Sequence, residues 1–281
     1  MNDKNLNFLQ TVKKYSNPRI GIVCILLIVV QFGLLPLISS ELRSGSDYNL
    51  YADYSYFYVM SSYTLIVLGI VIFQAHGLEL FSDHISLWVI VLSCFFRVSL
   101  GGDHALIYRI YLAFLGAVLS VYIITNRKTI KSPTLKSVFI GLLWSVSTVA
   151  LIALIQALLD SGFSKSLPPN LSTIITDMFI FQISFVSVIE EACFRGLIVG
   201  FMLMNGYKEN TAFSFQAILF WIGHYMAISN PVLFFVAIPL LTLSTTLIMK
   251  KYKMIFLPIM THTLVNVFTS IVVIVLQQSF A

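Results

Sequence analysis

Nine predominantly apolar runs, most of them long enough to cross a bilayer, constrain this chain more than any other feature. They lie at 20–38, 56–73, 85–100, 110–125, 137–159, within 171–205, and at 211–228, 232–249 and 254–277. A helix needs about 20 apolar residues to cross a hydrocarbon core about 30 Å thick. None of the runs alternates like a strand or is bounded by hairpin turns, so a β-barrel is not supported. The sequence therefore predicts an all-α, polytopic transmembrane helical bundle of about nine spans. Eight is the alternative, because the third and fourth runs are short and carry Arg97 and Arg109 at their edges. Only 10% of the residues are charged, against about 25% in a soluble domain.

The net charge of +5 does not point to nucleic acid, because the basic residues sit beside the ends of apolar runs, where membrane orientation needs them. Lys13, Lys14 and Arg19 precede the first run. Arg127, Lys128, Lys131 and Lys136 separate the fourth from the fifth, and Lys250, Lys251 and Lys253 separate the eighth from the ninth. Four crossings between successive clusters keep all three on the cytoplasmic side, with the amino end inside and the carboxyl end outside. The facing loops carry little beyond Arg43, Arg109 and Lys165. The polar residues 1–18 followed by an apolar run read as a signal anchor, and a bacterial plasma membrane is the expected location. Cys24, Cys94 and Cys193 all lie in apolar runs without CxxC spacing and read as small buried hydrophobes.

The stretch 171–205 would be about 50 Å long as one helix, more than one bilayer core requires. Asp177 suggests an interfacial start with the true span beginning near Met178, and Asn205-Gly206 a helix stop. Pro168-Pro169 reads as its rigid entry. Within it stands Glu190-Glu191-Ala192-Cys193-Phe194-Arg195, where each charge costs about 2.5 to 3.5 kcal/mol on insertion scales. Glu191 and Arg195 share a helical face and read as a structural ion pair, whereas Glu190 points about 100° away with no local partner.

Two later runs carry polar intrusions. Phe220 and His224 lie one turn apart, as do His262 and Asn266. Counted from the assigned cytoplasmic ends, Glu190, His224, His262 and Asn266 reach about 12 to 22 Å into the bilayer, so three helices bring acid, imidazole and amide to similar depth. Such a set suits amide hydrolysis. Glu190 would act as general base on a water, and His224 would orient it or carry the proton to the leaving amine. His262 and Asn266 would donate to the oxyanion. Taken singly, each histidine or the asparagine reads equally well as an interhelical hydrogen-bonder, and Phe220 as core packing. His76, Glu79, Asp83 and His84 read as a solvated loop face, and Arg97, Asp103, His104 and Arg109 as flanks of an external turn at Gly101-Gly102.

The three motifs, in this order and on separate runs, resemble the CAAX protease and bacteriocin-processing family of intramembrane proteases, also called the Abi family. The resemblance covers the last 110 or so residues, 171–281, as a catalytic membrane core. Residues 1–170 form an amino-terminal membrane region of unknown role that could shape substrate entry. The resemblance implies proteolysis of a membrane-associated peptide or protein substrate in the lipid bilayer. The position of Glu190 activates water with that of His224, those of His262 and Asn266 form an oxyanion site, and Glu191, Arg195 and Phe220 support them. No cofactor is favoured. Zinc or another divalent metal held by Glu190, His224 and His262 is the alternative, although no His-Glu-x-x-His pair is present. In this family the eukaryotic substrates are prenylated proteins ending in Cys-a-a-X, and bacterial relatives act in peptide maturation or bacteriocin immunity. A non-proteolytic immunity or scaffold protein is thus the competing reading. A proton-coupled transporter is disfavoured, because no half of the chain repeats.

Overall fold

A computed structural model of the chain describes residues 48–75, 83–100, 106–128, 130–159, 170–225 and 233–277. The run at 20–38, with Cys24, Lys13, Lys14, Arg19 and Arg43, lies outside these residues. So do His76, Glu79, Gly101-Gly102, Asp103, His104, Lys165 and Pro168-Pro169.

Eight helices make up the described part: α1 (Tyr48–Ala75), α2 (His84–Leu100), α3 (Leu106–Thr125), α4 (Leu135–Leu159), α5 (Leu171–Met204), α6 (Glu209–Gly223), α7 (Leu233–Tyr252) and α8 (Phe256–Gln277). Five of them, α1, α3, α4, α5 and α7, contain stretches long and apolar enough to cross a bilayer. The only β-type pairing among the described residues is an isolated bridge between Asp83 and Lys131. Large apolar side chains stand exposed around the bundle, among them Ile107 (79%), Val121 (63%) and Phe139 (61%). Exposed apolar surface on this scale fits lipid, not water. The chain is an integral membrane helical bundle.

Helix α5 runs unbroken from Leu171 to Met204. Its first eleven residues, Leu171–Phe181, bury none of their side chains. It ends where the sequence predicted. Gly206 adopts φ 82°, its N–H bonds the Leu203 carbonyl at 3.0 Å, and the Tyr207 N–H bonds that of Met202 at 3.1 Å. This closing pattern needs a left-handed residue, which glycine provides without steric cost.

The main apolar cluster joins Tyr63, Ile66 and Ile70 of α1, Leu87 and Ile90 of α2 and Leu112 of α3 to Ile189, Leu197 and Val199 of α5. Small residues bring α1 and α5 together. Leu197 lies over Gly69, and Phe73 lies over Gly200, each where a Cβ would collide with the opposing side chain. Close approach at small residues is the usual basis of packing between membrane helices, since lipid removes the hydrophobic drive. Interhelical hydroxyls supplement it. Tyr63 Oη donates to Ser93 Oγ (2.7 Å) and to the Ser184 carbonyl (3.0 Å), Trp144 Nε1 donates to Ser244 Oγ (3.0 Å), and Ser145 and Thr261 share a hydrogen bond of 2.6 Å.

For Asp83 the solvated-face reading is corrected. The residue is 3% exposed, and its Oδ1 accepts the Ser86 N–H at 2.8 Å, capping α2. Ser86 Oγ in turn accepts the Phe256 N–H at 2.9 Å. A serine of α2 thereby satisfies an orphan donor at the start of the helix that carries His262.

Gly200→Leu should force Phe73 out of its contact and lower thermal stability in detergent by about 1 to 3 kcal/mol, the usual range for overpacking. An unchanged melting temperature would contradict the close packing of α1 on α5.

Candidate active site

Helix α5 departs from α geometry on both sides of its two glutamates. Gln182–Val186 and Ala192–Ile198 are π-helical, and only Ser187–Glu191 between them keeps the α pitch. In the first of these wide turns the Ser187 N–H bonds the Gln182 carbonyl five residues back. Each such turn inserts about one extra residue and swings the following side chains by about 100°. Wide turns of this kind recur at functional sites. All twelve residues from Ser187 to Ile198 are buried.

At the centre of the buried charge is Glu191. Its Oε1 accepts Arg195 Nη1 at 2.8 Å and His262 Nδ1 at 2.7 Å, with all three side chains no more than 2% exposed. Arg195 also lies over the ring of Phe220, 3.9 Å from its centroid, a cation–π contact that strengthens once water is excluded. The same ring meets Phe194 edge-on (5.1 Å), His262 edge-on (5.8 Å) and His224 at a tilt (4.4 Å). Phe220 is therefore the packing centre of the polar cluster as well as a core residue.

Glu190 points to the other side of this ion pair. Its Oε2 lies 3.5 Å from His224 Nε2 and 3.8 Å from His262 Nε2, both beyond direct hydrogen-bond length. The sequence placed His224 inside a helix reaching residue 228. The structure instead ends α6 at Gly223 and puts His224 at the cap position, φ −81° and ψ −8°. Its Nδ1 contacts the Phe220 carbonyl at 2.6 Å. A carbonyl only accepts, so Nδ1 carries the hydrogen and a neutral ring presents a lone pair at Nε2. The Glu191 carboxylate orders His262 in the same way, and its Nε2 also faces Glu190. Three acceptors thus converge, and that arrangement calls for a proton or a cation among them. Among the described residues, no group of three or more His, Cys, Asp and Glu side chains is arranged to hold a metal ion.

Asn266 belongs to the same helix as His262 but makes a separate contact. Its Nδ2 donates to Gln182 Oε1 at 2.9 Å, and Ser187 Oγ donates to that same oxygen at 3.2 Å. Gln182 was missed in the sequence. An amide in an apolar run two turns before Glu190 was the available signal, and the wide turn that aims it is not visible in residue spacing. Cys94 and Cys193 are buried, each 0% exposed, as expected.

Residues 172–268 match the family model described as type II CAAX prenyl endopeptidase Rce1-like. The match takes in every motif residue above, from Glu190 to Asn266, and agrees with the resemblance that those motifs carry. No curated protein and no solved structure matches the chain.

Arg195→Met would leave Glu191 buried with one partner fewer. Unpairing a buried ion pair costs about 3 to 5 kcal/mol, so the variant should melt well below the parent in detergent. Equal melting of the two proteins would show that the pair does not hold the site together.

Proposed function

Starting from the Rce1-like character of residues 172–268, we propose that the chain is an intramembrane endopeptidase acting on a membrane-presented peptide or protein. The observation that carries the mechanism is the convergence of Glu190 Oε2 with His224 Nε2 and His262 Nε2 from three different helices. A water hydrogen-bonded to Glu190 in this apolar setting gives up a proton to the carboxylate as its oxygen attacks the scissile carbonyl carbon. The new C–O bond places negative charge on the carbonyl oxygen. Asn266 donates to that oxygen from Nδ2, and His262 does so when it carries a proton on Nε2. Collapse of the tetrahedral intermediate breaks the C–N bond, and the proton passes by way of His224 to the departing amine. Glu191 and Arg195 hold His262 and the Phe220 ring in place and do not exchange protons with substrate.

No serine or cysteine in the cluster is hydrogen-bonded to a histidine among the described contacts, so a direct water attack suits these residues better than an acyl-enzyme. The glutamate mechanism predicts that activity survives prolonged chelator treatment. Loss of cleavage on chelation, with recovery on adding zinc, would assign the converged acceptors to a metal instead.

Glu190→Gln should abolish cleavage while leaving expression and melting temperature nearly unchanged. Comparing membrane peptides and protein termini between cells with the parent chain and cells with this variant measures it. Termini that disappear only in the variant identify substrates, and an unchanged profile would support the immunity or scaffold reading. Asn266→Leu should slow cleavage by about 10² to 10³-fold, the range for loss of one oxyanion donor. A rate within a fewfold of the parent would remove Asn266 from that role.

A further inference from the structure

A groove of about 510 Å³ runs between α6 and α7 on the lipid-facing side of the bundle, apart from the glutamate cluster. Its lining is mostly apolar, with Phe213, Ile218, Leu243 and Leu247 along the walls, Trp221 at one end and Lys250 at the other. Asn210 and Trp221 bound its length on α6, eleven residues apart, about 16 Å along a helix. That is about half of a hydrocarbon core about 30 Å thick. The groove therefore spans one leaflet and begins at a basic membrane surface.

The charges at that surface are not equivalent. Lys253 is paired with Glu209, and Lys251 lies against the rings of Trp144 and Tyr252. Lys250 alone of the three lines the groove, where Asn210 Oδ1, a neutral acceptor, holds its ammonium at 2.6 Å. No carboxylate pairs with it among the described residues. One turn deeper, Thr246 Oγ1 accepts Gln216 Nε2 at 2.8 Å, which leaves its own hydroxyl hydrogen to donate.

We propose that this groove is a binding site for an acidic phospholipid. The phosphate sits on Lys250, an ester carbonyl meets the Thr246 hydroxyl, and one acyl chain lies along α6 and α7 as far as Trp221. Basic pockets between membrane helices recognise anionic headgroups by this combination of charge and apolar depth. The site bears on the catalytic region because its inner end is built from the last turn of α6. Trp221 donates from Nε1 to the Phe234 carbonyl at 3.0 Å, tying that turn to α7, and His224 follows three residues later. A bound chain would brace the helix end that presents His224. The binding itself does not depend on the proteolytic reading.

The chain has three tryptophans, Trp88, Trp144 and Trp221, so a Trp88→Phe, Trp144→Phe background leaves Trp221 as the sole reporter. In phosphatidylcholine vesicles, phosphatidylglycerol with brominated acyl chains should quench Trp221 with about fivefold higher apparent affinity than brominated phosphatidylcholine, as one lysine at a charged lipid surface supplies. Lys250→Ala should abolish that preference. Ala217→Phe, which fills the groove and leaves every charge in place, should reduce quenching by the acidic lipid. Equal quenching by the two lipids, a preference that survives Lys250→Ala, or quenching unaffected by Ala217→Phe would each overturn the proposal. Native mass spectrometry of the chain with its tryptophans intact provides a second measurement. The parent should retain phosphatidylglycerol that Lys250→Ala loses, and equal retention would count against the site.

Discussion

A carboxylate and a guanidinium, both buried in an apolar bundle, constrain everything around them. Glu191 and Arg195 have no exposed surface, and an isolated ion in such a setting is too costly to persist. Their mutual hydrogen bond compensates only part of the cost. The rest of the compensation comes from other helices: His262 of α8 donates to the same carboxylate oxygen, and the Phe220 ring of α6 lies under the guanidinium. One ion pair thus requires α5, α6 and α8 to meet at one place. That meeting brings Glu190, His224 and His262 together.

The wide turns of α5 serve this arrangement. A π turn leaves its backbone groups out of α register, and the first one presents the Ser184 carbonyl to Tyr63 of α1 while aiming Gln182 at Asn266 of α8. Glu190 and Glu191 stay on the short α segment between the two wide turns, so their roughly 100° separation is preserved. Glu191 meets Arg195 and the Nδ1 of His262, whereas Glu190 faces the Nε2 atoms of His224 and His262. The adjacent glutamates therefore have different surroundings.

The remainder of the bundle provides position. Glycines at 69 and 200 allow α1 to approach α5, and hydroxyls bridge α4 to α7 and α8. Ser86 of α2 holds the first turn of α8, which fixes the height at which His262 enters the cluster. Between α6 and α7 the packing opens instead. The groove there is lined mostly by apolar side chains, has a single lysine of α7 at its mouth, and runs along α6, whose end presents His224.

Several parts of this protein were legible in residues alone. Apolar run lengths determined a helical membrane protein, because lipid cannot satisfy exposed backbone groups and leaves few ways to cross it. The i,i+4 spacing of Glu191 and Arg195 determined their pairing, and the order of the three motifs determined the family resemblance. Tertiary structure alone decided that Asp83 is a buried helix cap, that α6 stops at Gly223 so that His224 caps it, and that Gln182 holds Asn266. It also decided which imidazole nitrogen faces Glu190. The physical reason is geometric: Asn266 and the imidazoles depend on which groups other helices bring within about 3 to 4 Å, and the two caps depend on where a helix starts or stops. Helical periodicity in one segment carries no information about that.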